Sequence, residues 1–419
     1  MERTKAIFDT IDRLETEMVE FTRGMLKVPA IAPESGGAGE LDKAEWIVNK
    51  VSGWGFDRIE RYDAPDDRVP SGRRPNVLLR LKGSMPELPS LWTFVHLDVV
   101  PPGDMSKWSS DPFSLRIEGG KLIARGVEDN GQDLVAALFA AKALMMNGLH
   151  PEMDVNIFLV ADEEVGSEKG IVHVTREHPE LFRKDDLFIV PDAGVADGSM
   201  IEVSEKSIAW LKVRTIGKEV HGSVPNKGIN ANLAAMRFMV AMNDELEKRY
   251  PAEDPLYDHV RSSFSPTKRE ANVLNINTIP GEDVSYMDSR ILPCYDPDEV
   301  FEHIKKRAKD FEKEHSVTIE VSKVQFARSA PPTPADHPVV SILGSAIEEV
   351  YGVKASPMGI GGGTCAAFLR REGYPAVVWG KLEDTAHQPN EYALVQNYIG
   401  DAKVFASVFM HRAGAGRPT

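Results

Sequence analysis

The chain has 419 residues, which at roughly 150 per domain predicts two to three domains. Hydrophobic residues make up 42% and charged residues 27%, which excludes disordered, collagen-like and coiled-coil classes. Lysine plus arginine is 49 against 64 acids, and the net charge of −15 repels phosphate backbones, so no nucleic-acid partner is expected.

The start, Met1-Glu2-Arg3-Thr4-Lys5, runs into an amphipathic pattern without the apolar core of a signal peptide. Ile7, Ile11, Leu14, Met18, Phe21 and Met25 recur at steps of four and three, which predicts a helix with one buried stripe. Short apolar runs at Asn76–Leu81, Leu91–Val95, Val155–Val160 and Leu187–Val190 read as buried strands, with a helix at Gln132–Asn147. The longest apolar-rich run, Val135 to Met146, is too short to span a bilayer and carries Lys142. Strands alternating with helices predict an α/β fold, a mostly parallel sheet with helices on both faces.

After about Val203 the pattern changes. Trp210, Lys212 and Arg214 alternate with Leu211, Val213 and Thr215, one face wet and one packed. A helix (about Ile229–Lys248), two strands (about Ala271–Thr278 and Val284–Leu292), a helix capped by Asp296 and a strand (Val317–Val324) complete β-α-β-β-α-β. This order predicts an inserted ferredoxin-like α+β domain over 206–325, between a first part (1–205) and a second part (326–419) of the larger domain. The Ala330-Pro331-Pro332-Thr333-Pro334 stretch reads as the return hinge, before the helix Val339–Val350 and the strand Ala376–Trp379. Cys294 and Cys365 are the only cysteines and form no CxxC pair, which fits a reducing compartment; the expectation is a cytoplasmic chain with no membrane partner.

Four clusters of acids and histidine follow strands or open a helix, where open α/β sheets place their ligand crevice. They are His96-Leu97-Asp98, Gly126-Val127-Glu128-Asp129-Asn130-Gly131, Asp162-Glu163-Glu164-Val165-Gly166 and Pro191-Asp192-Ala193-Gly194. Taken singly, each also reads as ordinary structure: a buried histidine, a capped turn, a solvated acidic loop. Jointly, and with His387, they supply nitrogen and oxygen ligands suited to a divalent ion, and consecutive acids repel unless a cation neutralises them.

The succession His96-Leu97-Asp98-Val99-Val100-Pro101, Gly126 to Asp129 and Asp162-Glu163-Glu164-Val165-Gly166 resembles the co-catalytic di-zinc metallopeptidases. That family includes aminoacylase, acetylornithine deacetylase, succinyl-diaminopimelate desuccinylase, carboxypeptidase G and carnosinase-type dipeptidases. The resemblance implies two divalent ions, zinc first with cobalt or manganese as alternatives. It implies that Asp129 bridges them, that His96 and Asp192 complete one site, and that Glu164 and His387 complete the other. Asp98 would orient His96, Glu163 would be the general base, and the Asp129–Asn130 peptide would be cis. The inserted domain would act as a lid and as the contact of a homodimer. His221 would cross that dimer to polarise the scissile carbonyl. Asn277, Arg290, Gly362, Gly363 and Thr364 would bind the substrate carboxylate, arginine through its bidentate fork.

The function so implied is metal-dependent hydrolysis of an amide in a small carboxylate-bearing substrate, a dipeptide or an N-acyl amino acid. The alternative within the class is an N-succinyl-diaminopimelate or N-acetylornithine type deacylase. Outside it stands a catalytically silent metal-binding sensor. Departures from the family pattern are Cys365, where an acid is common, and the missing lysine after Asp129. Asp192, where deacylases more often have glutamate, tilts the reading toward peptidases. Gly359-Ile360-Gly361-Gly362-Gly363 lacks phosphate-loop spacing, and no GxSxG elbow supports a serine hydrolase.

Overall fold

The computed structural model describes residues 2–411. Met1 and residues 412–419, the extremes of the first and last stretches read from sequence, lie outside it. The chain divides into two compact units, one of residues 1–203, 332–357 and 364–419, the other of residues 204–331 and 358–363. Segment 358–363, assigned from sequence to the last part of the larger domain, falls with the smaller unit. There Gly359 bridges Tyr257, and the carbonyl of Ile360 accepts the N–H of Lys206.

The large sheet has eight strands, in the order Arg58–Arg61, Val77–Leu81, Val155–Val160, Leu91–His96, Leu187–Val190, Ala376–Val378, Met200–Glu205 and Ser356–Ile360. Its four central strands, from Val155–Val160 to Ala376–Val378, pair in parallel. Antiparallel pairing joins Val77–Leu81 and Arg58–Arg61 on one side and Met200–Glu205 on the other. The strands Leu91–His96, Val155–Val160 and Leu187–Val190 are buried at every residue, so their sequences are apolar-rich runs, broken by Thr93, His96 and Asn156, rather than alternations. Trp92, Phe94, Phe158, Phe188 and Leu369 form part of one apolar core, which also takes in Cys365.

The amino-terminal stripe belongs to two helices, Glu2–Arg13 and Glu15–Leu26, rather than one. Its residues Ile7, Ile11, Leu14, Met18, Phe21 and Met25 are all buried. The helix Gly131–Met146 is buried along nearly its whole length. Among the described residues, no helix is long and apolar enough to cross a membrane.

The smaller unit is a four-stranded antiparallel sheet in the order Ser263–Arg269, Glu282–Ile291, Ser207–Ile216 and Thr318–Ala327, with helices Ala231–Arg249 and Pro297–His315. Numbered along the unit the strands run 2-3-1-4, the ferredoxin-like arrangement, with Phe238, Met242, Met287 and Ile304 in its core. The expected strand at 271–278 is not there. Ser263–Arg269 takes the edge position, pairing Phe264 with Ser289. Only Thr278–Ile279 is extended, in a two-stranded ribbon with Val220–His221. Leu274 and Ile276 between them are fully exposed, so their apolar spacing reflects no buried face of this chain.

Candidate metal centre

Each of the four acidic or histidine clusters sits where the fold turns. His96 ends its strand, and Asp192 follows the strand Leu187–Val190 by two residues. Glu163 and Glu164 open a short 3-10 turn after the strand Val155–Val160, following Asp162, which has a left-handed φ of 70°. Asp129 precedes the helix Gly131–Met146 through a cis peptide to Asn130. Gly131 is required by a close approach, since a Cβ there would lie 2.3 Å from the carbonyl oxygen of Gly126.

These side chains converge. His96 Nε2 lies 2.8 Å from Asp129 Oδ1 and 3.3 Å from Asp192 Oδ1. The other oxygen of Asp129, Oδ2, lies 3.1 Å from His387 Nε2, which in turn is 3.0 Å from Glu164 Oε2. One carboxylate therefore faces two imidazoles, each with a second acid beside it. Donor atoms of His96, Asp129 and Glu164, and again of His96, Glu163 and Asp192, fall within 4.8 Å of one another. Glu164 Oε1 is buried without a hydrogen-bond partner. Imidazole nitrogen, clustered carboxylates and an unsatisfied buried oxygen are a donor set that fits divalent transition ions.

His96 Nδ1 is 3.0 Å from the carbonyl oxygen of Asp98 and 3.4 Å from its carboxylate. A carbonyl can only accept, so Nδ1 carries the proton and Nε2 is the nitrogen facing Asp129. The Asp98 carboxylate also binds backbone, as its two oxygens accept the N–H groups of Glu163 (3.1 Å) and Glu164 (3.0 Å). It ties the turn after one strand to the loop after its neighbour.

The electrostatics are those of an overcrowded anionic site. Burial works to lower the His96 pKa, yet the carboxylates of Asp129, Asp192 and Asp98 more than offset it and raise it well above the ordinary value. Bonds to Asp129 and Glu164 push His387 up to about 10. Burial opposes ionisation of Asp129, but its bonds to His387 and His96 prevail and hold its pKa down. Burial, then repulsion from Asp192, raises Glu163 well above the usual carboxylate range.

Several supporting residues escape a sequence reading. Glu391, fully buried, accepts the N–H groups of Gly126 (2.9 Å), Glu128 (2.9 Å) and Asp129 (3.2 Å) and pairs with Arg125 at 2.7 Å. Glu128 accepts the N–H (2.6 Å) and hydroxyl (2.7 Å) of Thr385, two residues before His387. Lys43, Glu40 and Arg74 are buried charges behind the same loops. The only available signal was Glu391 itself, four residues after His387 in His387-Gln388-Pro389-Asn390-Glu391.

The remaining predicted residues lie in or beside the smaller unit. His221 Nδ1 is 2.7 Å from Ser223 Oγ, and its Nε2 is 3.4 Å from Asn277 Nδ2, so these two residues are neighbours. Arg290 is already engaged: Nε and Nη2 bind Asp288 at 2.7 and 3.1 Å, and Nη1 donates to Gly361 O at 2.9 Å. Gly362, Gly363 and Thr364 follow in the loop after the strand Ser356–Ile360.

The sequence model of peptidase family M20/M25/M40 matches residues 93–411. The chain belongs to that family. An uncharacterized metallohydrolase of Methanococcus maripaludis is 37% identical over 414 residues, covering 94% of this chain and 98% of that one. The succinyl-diaminopimelate desuccinylase of Phenylobacterium zucineum is 24% identical over 405 residues, covering 94% and 97%. Among solved structures, human carnosine dipeptidase 1 superposes with a TM-score of 0.73 at 18% identity, covering 97% of this chain and 98% of that one. Aminopeptidase PepT of Bacillus cereus gives 0.73 at 17% identity, covering 94% and 98%. These two likenesses show a shared fold. This M20 chain is thus a metallohydrolase of a peptidase family, with an α/β domain and a smaller antiparallel-sheet domain.

Proposed function

We propose that this chain is a co-catalytic di-metal amidohydrolase that cleaves a dipeptide or an N-acyl amino acid. The observation that carries the reading is the Asp129 carboxylate, with one oxygen 2.8 Å from His96 and the other 3.1 Å from His387. Asp129 would be shared by two ions, His96 and Asp192 completing one ligand set and Glu164 and His387 the other. Zinc suits these donors, and cobalt or manganese fit the same set. Such a pair, when bound, supplies Lewis-acid polarisation of an amide carbonyl and a water acidic enough to ionise near neutrality.

Glu163 is the general base in this reading. Its carboxylate takes the proton of the attacking water and passes it to the leaving amine nitrogen. A pKa raised by burial and by Asp192 suits a group that must hold a proton and then release it. Asp98 keeps His96 in one tautomer and the base loop in place.

His221 of a second copy would stabilise the developing oxyanion, with Ser223 fixing its ring. Arg290, Asn277 and the Gly362-Gly363-Thr364 loop would receive the substrate carboxylate. Arg290 would do so with the N–H groups that Asp288 and Gly361 leave over. The fully exposed Leu274 and Ile276 next to Asn277 support a homodimer through this unit, where a second copy would bury them. A deacylase acting on a succinylated or acetylated amino acid is the second reading, supported by the desuccinylase relatives that align along nearly the whole chain.

The deciding experiment is a panel of dipeptides and N-acetyl and N-succinyl amino acids, assayed with zinc, cobalt and manganese and with a chelator. Chelator-sensitive release of a free amine is expected. Metal uptake without hydrolysis of any panel member would leave the sensor reading instead.

A further inference from the structure

The N-cap and first turn of the helix Leu41–Val51 carry two buried charges, three residues apart, that reach toward two different loops of the metal centre. Lys43, 3% exposed, donates from Nζ to the carbonyl oxygen of Leu97 at 2.7 Å. Leu97 is the residue between His96 and Asp98. Glu40, fully buried at the start of the same helix, grips Arg74 in a two-bond fork, through Nε at 2.6 Å and through Nη2. Arg74, also fully buried, places Nη1 3.0 Å from Asp162 Oδ1. Asp162 directly precedes Glu163 and is further held by the N–H of Lys169 at 2.8 Å.

Two chains of contact thus start from one helical turn. The first runs Lys43 to Leu97, the second Glu40 to Arg74 to Asp162, and they meet where Asp98 accepts the Glu163 and Glu164 amides. Burying five charged side chains is unfavourable unless each is paired, and pairing of this kind confers fixed geometry more readily than net stability.

We propose that Glu40 and Lys43 are positioning residues of the hydrolase: together they hold the His96–Asp98 turn and the Asp162–Glu164 loop in register, and so set the distance between the base and the ligands. The kinetic part of this proposal rests on the amidohydrolase reading above; the positional part does not. It concerns residues that touch neither substrate nor ion, so its test must separate positioning from general stability.

The experiment compares Lys43→Met and Glu40→Gln with the unaltered full chain by amide hydrogen exchange, without added metal, and by kcat and KM on the best substrate of the panel. In Lys43→Met, exchange is expected to rise about tenfold in peptides covering 96–99 and 162–168, with kcat down about 10- to 100-fold and KM within about threefold. Peptides from the strands Val77–Leu81 and Val155–Val160 keep their protection. Lys43→Gln, which retains a donor toward Leu97, is expected to recover part of the protection at 96–99. If Glu40→Gln does not fold, the Lys43 pair decides alone. Exchange that rises uniformly across the sheet, or that leaves both loops unchanged, overturns the proposal. Absence of turnover in the unaltered chain would count against the amidohydrolase reading only, because the exchange comparison needs no substrate.

Discussion

Glu391 accepts the backbone N–H of Asp129 at 3.2 Å, so the carboxylate that faces both imidazoles is held from behind by a second, buried acid. The same Glu391 takes the amides of Gly126 and Glu128, and burial pushes its pKa up to about 7. Three backbone donors converge on one side chain, and their satisfaction depends on it.

Glu391→Gln keeps the shape but turns one acceptor into a donor facing N–H groups. Leaving a buried N–H unsatisfied costs about 1–3 kcal/mol, and disturbed outer partners weaken metal affinity about 10- to 100-fold. A lower melting temperature and easier metal loss to a competing chelator are expected. A variant that retains metal as tightly as the unaltered chain would remove Glu391 from the support of Asp129.

Glu163→Gln tests the base. The set His96, Asp129, Asp192, Glu164 and His387 is untouched, so two ions per chain should remain by elemental analysis. Turnover should fall by about 10²- to 10⁴-fold, the usual share of a positioned proton acceptor. Because Glu163 lies within ligand distance of His96 and Asp192, a drop to one ion per chain would instead make it a ligand.

Much of the large domain was legible because its central strands are buried on both faces. Val155–Val160, apolar but for Asn156, and Leu187–Val190 stand out as apolar runs with the predicted ends. The candidate ligands were legible for a related reason: acids directly after such strands have no place in a core. The smaller unit misled where apolar spacing served no internal face, as at Leu274 and Ile276, while the true edge strand Ser263–Arg269 is mostly exposed and polar. Buried charges such as Glu40, Lys43 and Arg74 left no trace, and Glu391 left only its nearness to His387 in sequence. Lys43 meets Leu97 from 54 residues away, Glu40 meets Arg74 from 34 away and Glu391 meets Arg125 from 266 away, and periodicity reports only on neighbours.

Metal loading should stabilise the fold more at higher pH. Imidazoles must lose a proton to ligate, and in His387 that proton is held by Asp129 and Glu164 up to about 10. The folded pKa lies above the ordinary 6.5, so this proton-dependent stability is full below about 6.5 and lost as pH rises through about 10. Protons therefore compete with metal most at low pH. The gain in melting temperature on adding zinc to chelator-treated protein is expected to grow from about pH 6 to pH 8. A gain independent of pH would show that these imidazoles are not displaced from their acids by metal.

A second pH effect is expected at Asp133 and Asp401, which belong to neither proposed ligand set, although Asp192 and Asp129 also repel Asp133. Both are fully buried, and neither oxygen of Asp133 has a hydrogen-bond partner. Burial raises Asp133 well above its ordinary 3.8, with repulsion from Asp401 next, and burial brings Asp401 up to about 7. The folded state thus holds these protons more tightly than the unfolded one. The Asp401 part of that contribution is complete below about pH 3.8 and is lost as pH climbs through about 7, and Asp133, also raised, adds in the same direction, so the unaltered chain weakens over this window. Asp133→Asn removes one buried charge and its repulsion on Asp401 without breaking a hydrogen bond. Melting temperatures measured between about pH 5 and pH 8 should then fall less steeply than in the unaltered chain, with the variant the more stable of the two at pH 8. Parallel curves for the two proteins would mean that Asp133 is ionised in the fold throughout that range, as in the unfolded chain, and holds no extra proton.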